Sequence, residues 1–531
     1  MERCDVLVVG GGPGGSSVAW GLRGSGLDVV VFDRKTFPRD KVCAGWITPQ
    51  ICAELSLEPE DYAKERLIQA IRGFAVSRQG DRAARVEYDR VVSYGIRRCE
   101  FDQHLLARSG ARLRLGAPLR DLRREGGRWV LDGELSARWL VGAGGHFCPV
   151  ARRLGARPGE GEPATVLARE IEFEMTPAQQ ARCGVRADLP ELFFARDLRG
   201  YGWVVRKGDW LNVGLGRQDV SGFARHLDVF LDGLVAAGKV PPDLPRGLRG
   251  HAYLLYDQAP RSLGAEGVLL VGDAAGLAYG RSGEGIRPAV ESGLLAARAL
   301  RAASAGDGEP ERAYPRALTA RFGPRHGRMR KGPSDWLPRR WRGPVAGRLL
   351  GSPWFARRVV VDRWFLRRQI PLLLAALLLT ASAAAQTLAV GSAFPALGLE
   401  DQHGTRHAID ASVRAVLFSR DMDGGGVIRK ALDAPLEKDA LAFLARHGAV
   451  CVADVSRMPG LIRRAIARPR LRRRPYPLLL DEEGPATAAL PSAEGKATLI
   501  RLDALRIVAV EHYDSPEALR AALEGGAAGG P

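Results

Sequence analysis

An apolar strand that runs directly into a cluster of glycines constrains this chain more than any other feature. Residues 5–9 read DVLVV, and five of the next six residues are glycine. Within the cluster, Gly10, Gly12 and Gly15 fit the pattern G-x-G-x-x-G, in which the first glycine permits a tight turn. The second lets the backbone approach a pyrophosphate, and the third lets a helix pack closely on the strand. We therefore predict a strand over 5–9, a helix over 16–23 and a second strand over 28–32, which open an α/β fold.

The residues around this turn predict a dinucleotide-binding site. Asp33 follows the second strand about twenty residues after the glycines, where a carboxylate accepts hydrogen bonds from a ribose hydroxyl. The first turn of the helix offers N–H groups to the phosphates. A purely structural glycine turn is the alternative, but it leaves the acid and the second strand unexplained. The predicted cofactor-binding residues here are Gly10, Gly12, Pro13, Gly14, Gly15, Asp33 and Arg34.

A second strand–helix element far along the chain distinguishes between FAD and NAD as the cofactor. Residues 268–271 form another apolar strand, Gly272 and Asp273 follow it, and a helix begins near Gly285 and runs to about residue 302. NAD does not need such a distal element, whereas FAD spans the domain. The carboxylate of Asp273 suits the ribityl or pyrophosphate portion, and the positive end of the helix suits the negative charge of a reduced flavin. The sequence therefore favours FAD.

Four segments carry a resemblance to a known family. They are GGGPGGSS at 10–17, KVCAG at 41–45, RRCEFD at 97–102 and GDAAGLAYGRSGEGIRPAVESG at 272–293. Over about residues 1–369 the chain resembles the geranylgeranyl reductase family of FAD-dependent oxidoreductases. The resemblance implies an α/β fold, with a Rossmann-type FAD domain (about 1–160 and 261–320) interrupted by a substrate domain with an antiparallel sheet (about 161–260). It also implies cofactor contacts from Ala44, Gly45, Arg98, Gly272, Asp273, Gly283, Gly285 and Ile286.

The substrate motif of that family is only partly present. The family has Tyr-x-Trp-x-Phe-Pro and then a glycine pair, whereas this chain has YGWVVR at 201–206 and then Gly214 and Gly216. Tyr201 and Trp203 share one face of a strand because side chains alternate with period two. We interpret both as substrate-binding residues, and sheet core is the alternative. The loss of Phe-Pro leaves the identity of the substrate open.

Further departures bear on the reaction. Hydroxylase relatives carry an aspartate at the position of Gly144 or Gly145, and the Trp-x-Trp-x-Ile-Pro signature of flavin halogenases is also missing. We therefore favour hydride transfer from reduced flavin to a carbon–carbon double bond of an apolar, prenyl-type substrate. A flavin monooxygenase is the alternative, and a third possibility is that a C-terminal binding module sets the biological role. Cys43 and His146 are weak candidates for catalysis, so the catalytic residues stay unknown. The electron donor is unknown as well.

Charge and cysteine content limit the partners. The net charge is +18, and residues 321–368 contain fourteen Arg or Lys against Asp335 and Asp362, with four tryptophans among them. This basic stretch, a helical cap over 321–369, suits an anionic membrane surface. RNA is an alternative, but the arginine excess pervades the chain and we expect no nucleic-acid partner. Seven cysteines without a C-x-x-C argue against a disulfide scaffold and a zinc site, so we expect no metal.

An uncharged run follows the basic stretch. Residues 370–385 read IPLLLAALLLTASAAA, with Arg367 and Arg368 before them. The basic flank, apolar run and Ala-x-Ala ending are typical of a secretory signal, here in mid-chain. We interpret 370–387 as a signal-like or membrane segment, and a core helix is the alternative. The segment could be cleaved, span a membrane or mark two joined genes.

The residues after this segment predict a second domain. Over 388–524, strands at 414–419, 449–454 and 476–481, a hairpin at 498–512 and a final helix resemble a thioredoxin-like fold. The reactive Cys-x-x-C expected after the first of these strands is replaced by residues 421–424, in what reads as a loop at 420–426. We therefore expect no thiol chemistry in this domain. The tail at 525–531 is predicted to be disordered.

The apolar segment generates a topology prediction. Basic residues stay on the cytoplasmic side, so the FAD domain should be cytoplasmic and membrane-associated, and the C-terminal domain periplasmic or exterior. Alkaline phosphatase fused after Leu388 should therefore be active, and green fluorescent protein fused there should be dark. An inactive phosphatase together with an intact soluble chain would favour the core helix instead.

Overall fold

The computed structural model describes two compact units, one over Met1–Leu373 and one over Leu374–Pro531. The described residues are 1–155, 165–218, 221–256, 263–324, 339–373, 388–395, 397–436, 439–456, 471–472, 474–482, 486–487, 489–493 and 495–525. Most of the predicted apolar segment, 374–387, and the predicted tail after residue 525 lie outside them. Among the described residues, none of the helices is both long enough and apolar enough to cross a membrane.

The first unit mixes strands and helices throughout. Its strands are β1 Glu2–Val9, β2 Val29–Asp33, β3 Trp46–Ile47, β4 Ile68–Ile71, β5 Gly73–Arg78, β6 Ala84–Glu87, β7 Ser93–Ile96, β8 Arg112–Leu115, β9 Leu122–Glu125, β10 Arg128–Leu131, β11 Leu135–Gly142, β12 Thr165–Glu174, β13 Glu191–Phe194, β14 Gly200–Lys207, β15 Trp210–Arg217, β16 Arg249–Leu254, β17 Gly264–Ala265 and β18 Val268–Leu270. Its helices are α1 Pro13–Gly21, α2 Pro49–Glu54, α3 Pro59–Ala63, α4 Arg98–Ala107, α5 Pro149–Arg153, α6 Pro177–Ala181, α7 Phe223–Ala236, α8 Ile286–Ser304, α9 Pro310–Phe322, α10 Arg339–Leu350 and α11 Pro353–Phe355, which continues as a π-helix over Ala356–Phe365.

A parallel sheet forms the centre of the first unit. Its strand order is β17-β18-β11-β1-β2-β8, and β18, β11, β1, β2 and β8 are parallel to one another. β17 pairs antiparallel with β18, and β9 and β10 add an antiparallel hairpin on β11. We call it the parallel sheet after its central strands. The second half of β1, residues 6–9, and residues 29–32 of β2 are continuous apolar runs, as is typical of parallel sheets that are buried on both faces. Helix α1 packs against α8, where Gly14 and Gly293 let the two backbones approach closely. The α/β class predicted from the sequence is confirmed.

A seven-stranded sheet of order β16-β12-β15-β14-β13-β5-β6 forms the second layer, and every pairing in it except β13–β5 is antiparallel. We call it the antiparallel sheet. The alternation along β14 separates its faces, because Val204 packs under α7 while Trp203 and Val205 face a second core cluster. β5 and β6 lie before the predicted start of the substrate domain at residue 161. The pairing of β5 with β13 joins residues more than a hundred positions apart, which no local pattern predicts.

The end of the basic stretch covers the apolar face of this sheet. Val360, Val361 and Phe365 of the π-helix are buried in the same cluster as Trp203, and Tyr88 donates a hydrogen bond to Asp362 at 2.8 Å. Trp354 is 62% exposed, beside the exposed side chains of Arg357 and Arg358. Residues 339–365 of this stretch are therefore largely helical and pack on the sheet, while the cap over 321–369 as a whole and its contact with a membrane stay predictions.

The second unit is a single mixed sheet with helices. Its strands are β19 Gly398–Asp401, β20 Arg406–Ala408, β21 Ala415–Ser419, β22 Ala449–Asp454, β23 Leu478–Asp481, β24 Ala497–Asp503 and β25 Arg506–Tyr513, and its helices are α12 Met422–Leu436, α13 Ala440–Arg446 and α14 Pro516–Gly525. The order is β20-β19-β23-β22-β21-β24-β25, with β21, β22 and β23 parallel. The likeness to thioredoxin stays a prediction.

One prediction about this unit is wrong. Residues 420–426 read as a glycine-rich loop, but α12 already begins at Met422. Asp421 explains the early start, because its carboxylate accepts a hydrogen bond from the N–H of Gly424 at 2.7 Å, in the manner of a helix N-cap. Cys451 lies fully buried in the core beside this helix.

The glycine pair of β15 gives a stability prediction. A Cβ on Gly214 would overlap the indole of Trp203, whereas a Cβ on Gly216 would lie 3.7 Å from the same ring, an ordinary contact. Gly214→Ala should therefore lower the free energy of unfolding by about 1–3 kcal/mol, the usual cost of overpacking a core. Gly216→Ala is the matched control and should stay within about 0.5 kcal/mol of wild type. Urea unfolding of both variants checks this, and equal stabilities would contradict it.

Candidate active site

One large cavity of about 630 Å³ lies where the parallel sheet meets the antiparallel sheet. Its walls include the residues that follow the carboxyl ends of β1, β2, β11 and β18, the place where open α/β sheets bind ligands. Sixteen of the predicted site residues line it: Gly10, Gly12, Pro13, Gly14, Asp33, Arg34, Ala44, Gly45, Arg98, Tyr201, Trp203, Gly272, Asp273, Gly283, Gly285 and Ile286. Gly15 does not line the cavity. It lies against the carbonyl oxygen of Gly10, where no side chain fits.

The glycine turn has an open side and a closed side. Gly10 has φ +117°, and a Cβ there would overlap the backbone of Ala143. A Cβ on Gly12 would meet one atom within 4 Å, Nη2 of Arg39 at 3.3 Å. Gly12 therefore presents bare backbone to the cavity, as the approach of a pyrophosphate requires.

Asp33 is held in place at the end of β2. Its two oxygens accept hydrogen bonds from the N–H groups of Gly11, at 2.8 Å, and Lys35, at 2.9 Å. Each carboxylate oxygen can accept a second bond, so the group can still receive hydroxyl donors from the cavity. Arg34 stands exposed at the rim.

A charged cluster lines the opposite wall. The Nζ of Lys41 lies 2.7 Å from Nε2 of His251, which in turn lies 3.4 Å from a carboxylate oxygen of Asp273. Burial opposes ionisation of Asp273, but the His251 hydrogen bond and the Lys41 charge outweigh it and hold the pKa of Asp273 at about 2. Burial lowers the pKa of Lys41 to about 8. Asp273 is therefore a fixed anionic acceptor at neutral pH, as a ribityl or ribose hydroxyl needs.

Arg98 lies beneath the cavity in a buried ion pair. Its guanidinium donates two hydrogen bonds of 2.8 Å to Asp102, and Arg39 approaches the same carboxylate at 3.4 Å. The fork geometry fixes the guanidinium, so a cationic surface faces the loop at 41–45. Gly45 in this loop has φ +66°, and a side chain there would overlap Lys207 and the carbonyl of Ile96.

The two predicted substrate residues join the core to the cavity. Tyr201 donates a hydrogen bond from its hydroxyl to the carbonyl of Ser282, and its ring lies 5.4 Å from that of Phe365. Trp203 is 6% exposed and donates from Nε1 to Oδ1 of Asn212 at 2.7 Å. Both residues are therefore sheet core and cavity wall at once, so the two interpretations offered by the sequence are compatible.

The sequence analysis missed Asn212 and the contacts that it makes. Its side-chain amide donates to the carbonyl of Cys43 at 3.1 Å, so a hydrogen-bonded chain runs from Trp203 to the loop at 41–45. Cys43 and His146 both line the cavity. Their chemical roles stay predictions.

Glu284 was also missed, although it stands within the quoted motif. It lines the cavity, and both of its carboxyl oxygens are buried without a hydrogen-bond partner among the described residues. Burial raises its pKa to about 7, although Arg287 and Arg367 pull in the other direction. The signal that could have revealed it is an acid between two glycines directly before the helix N-terminus.

Comparison with known proteins assigns the family. A family model described as an NAD(P)-binding Rossmann-like domain matches residues 8–39. The menaquinone reductase of Mycobacterium tuberculosis is 31% identical over 357 residues, which cover 61% of this chain and 81% of the relative. This chain belongs to the geranylgeranyl reductase family of FAD-dependent oxidoreductases. A digeranylgeranylglycerophospholipid reductase of Methanocaldococcus jannaschii is 26% identical over 305 residues, 55% of this chain and 75% of the relative.

A solved structure agrees with the fold of this family. The crystal structure of a geranylgeranyl bacteriochlorophyll reductase-like protein from Thermoplasma acidophilum matches with a TM-score of 0.55 and 20% identity. The match covers 70% of this chain and 98% of that protein. The reductase fold therefore extends over most of the chain.

The cavity residues fit FAD, the cofactor of this oxidoreductase. The bare backbone at Gly12 and the cations Arg39 and Arg98 suit a pyrophosphate, while the carboxylates of Asp33 and Asp273 suit hydroxyl groups at two places along the molecule. When bound, the flavin supplies the two-electron hydride-transfer chemistry of the enzyme.

The open side of the glycine turn gives a binding prediction. Gly12→Val should fold but lose FAD, because its side chain would occupy the space that the pyrophosphate needs, whereas Gly233→Ala, at a position on α7 with open space around it, should keep stoichiometric FAD. Flavin absorbance per protein, read beside far-UV circular dichroism, checks both. Stoichiometric FAD in Gly12→Val would show that the cofactor does not approach this turn.

Proposed function

We propose that this enzyme reduces carbon–carbon double bonds of an apolar, prenyl-type substrate, with hydride supplied by reduced FAD. The observation that carries the proposal is the continuity of one cavity from the glycine turn at Gly12 to the aromatic wall at Tyr201 and Trp203. A cofactor bound at the turn and a substrate against the aromatic wall would share that space. Relatives named for a prenylated lipid and for a quinone support the substrate class.

The aromatic wall suits an apolar chain. The rings of Tyr201, Trp203 and Phe365 lie within 6.1 Å of a neighbouring ring in this cluster. Such rings offer large apolar contact area at low cost in side-chain entropy, because they are already packed. The hydroxyl of Tyr201 is held by Ser282, so the ring keeps a fixed orientation toward the cavity. These residues would bind and orient the substrate and exclude water from it.

The helix α8 adds an electrostatic contribution. It has nineteen residues and begins at Ile286, and both Gly285 and Ile286 line the cavity. The N-terminus of a helix carries about half a positive elementary charge. This charge would stabilise the anionic form of a reduced flavin ring, which favours storage of a hydride equivalent between the two half-reactions.

A turnover experiment tests the proposal. The purified enzyme, reduced anaerobically with dithionite, should reoxidise when mixed with menaquinone or with a geranylgeranylated glycerolipid, and the product should contain two more hydrogens by mass spectrometry. Tyr201→Ala should lower kcat/KM at least about tenfold through loss of aromatic contact. Tyr201→Phe keeps the ring and should lower it much less.

Two results would count against reduction. Oxygen incorporated into the product under air would indicate a monooxygenase. Failure of the reduced, FAD-loaded enzyme to convert either substrate would defeat the prenyl assignment.

A further inference from the structure

The loop before α8 holds an acid, Glu284, in a backbone segment that is fixed by close contacts. Glu284 lies between Gly283, which has φ +66°, and Gly285, the residue that caps the helix. A side chain on Gly283 would overlap the hydroxyl of Tyr253. The backbone carbonyl of Glu284 accepts a hydrogen bond from the N–H of Tyr279 at 3.0 Å. The backbone is thus fixed, and the side chain lines the cavity.

The carboxyl oxygens of Glu284 are buried and form no hydrogen bond within the described part of the chain. The backbone N–H of Arg287 nevertheless lies close enough to favour the ionised form of the carboxyl group. A buried carboxylate without partners is costly, so such a group stays protonated to higher pH. The charged and titratable groups that face it are Arg287 and Glu291 of α8, Arg367 after the π-helix, Tyr279 of the preceding loop and Tyr201 of β14. Burial is the largest effect and raises the pKa of Glu284 to about 7.

Four other titratable residues of the cavity wall are less suited to release a proton, namely Asp273, Tyr201, Tyr253 and His251. Asp273 is ionised because its pKa is held at about 2. The hydroxyl of Tyr201 is committed to Ser282, and burial raises the pKa values of Tyr201 and Tyr253 above their ordinary value. His251 lies between Lys41 and Asp273, and burial lowers its pKa, which favours the neutral imidazole.

Reduction of an alkene requires a proton as well as a hydride. The π bond breaks and two C–H bonds form, one with the hydride of reduced flavin, which is oxidised by two electrons, and one with a proton from an acid. We propose that Glu284 is the general acid that delivers this proton to the second alkene carbon, an inference that rests on the proposed function. Its O–H bond breaks in the step, the electron pair stays on the carboxylate, and water restores the proton between turnovers.

The kinetic test uses the full-length, FAD-loaded enzyme. Glu284→Gln keeps the shape of the side chain but cannot donate a proton as an acid, so oxidation of the reduced flavin by the prenyl substrate should slow about 100-fold or more. Reduction of the flavin by dithionite, FAD content and substrate binding should not change. The protonated form is the active one, so the wild-type rate should fall as pH rises through about 7. This descending limb should be absent in Glu284→Gln, and Glu284→Asp should recover part of the rate.

Glu54→Gln is the matched control. Glu54 is also fully buried, and burial raises its pKa to about 7, but it does not line the cavity and instead accepts a hydrogen bond from the N–H of Leu373. Loss of this titrating carboxyl should leave the rate of substrate reduction and its pH profile unchanged.

Infrared spectroscopy of the oxidised enzyme gives a readout that is independent of turnover. The difference spectrum between wild type and Glu284→Gln should contain a protonated-carboxyl band that disappears as pH rises through about 7, and this band should remain in Glu54→Gln. Absence of a band that depends on Glu284 overturns the proposal whatever the substrate is.

The outcomes separate the two proposals. If the wild type reduces the prenyl substrate and Glu284→Gln does so at the same rate, the acid role is wrong and the proposed function stands. If the wild type reduces no prenyl substrate although FAD is bound and reducible, the proposed function fails, and the acid role fails with it.

Discussion

The close approach of backbone to backbone around residues 10–15 is the constraint on which the rest of the first unit depends. Gly10 lies against Ala143, Gly15 lies against the carbonyl of Gly10, and Gly14 lies against Gly293 of α8, so that side chains would not fit at these contacts. They bring β1, β11, α1 and α8 together within a small space. That space leaves the N-terminus of α1 and the residues before α8 facing one cavity. A larger residue at Gly10 or Gly15 would therefore disturb the fold and the cofactor site together, whereas one at Gly12 would reach only into the cavity.

A second set of contacts ties the antiparallel sheet to this cavity. Asn212 of β15 receives a hydrogen bond from Trp203 and donates one to Cys43, while Lys207 donates to the carbonyl of Ile96 at 2.8 Å. The Asn212 bond holds the loop at 41–45 against the antiparallel sheet, and the Lys207 bond holds the end of β7 there. The aromatic wall and this loop therefore keep a fixed position relative to each other. Gly214 belongs to this arrangement because the indole of Trp203 occupies the place of its missing side chain. The first glycine of the pair in the family motif thus has a packing role in this chain.

Strands and site residues whose positions depend on nearby residues in the chain could be predicted from the sequence. The turn at Gly10–Gly15, the strand that ends at Asp33 and the shared face of Tyr201 and Trp203 all follow from backbone sterics or from the two-residue period of a strand. The prediction of a loop at residues 420–426 was wrong. The glycines there disfavour a helix, but the N-cap hydrogen bond of Asp421 stabilises the start of one. The pairing of β5 with β13 could not be predicted, since it depends on which edges the folded chain brings together.

The sequence by itself determined a dinucleotide-binding α/β unit, the family and sixteen of the residues that line the cavity, because each rests on a short pattern with a local steric or electrostatic cause. The tertiary structure alone decided which groups act together. Lys41 and His251 are 210 positions apart in the chain, yet they form one cluster with Asp273. For Glu284, the position between two glycines is visible in the sequence, but the burial of its carboxyl oxygens without a hydrogen bond from the described residues is not. A pKa depends on desolvation and on charges contributed by other elements, and these exist only once the chain has folded.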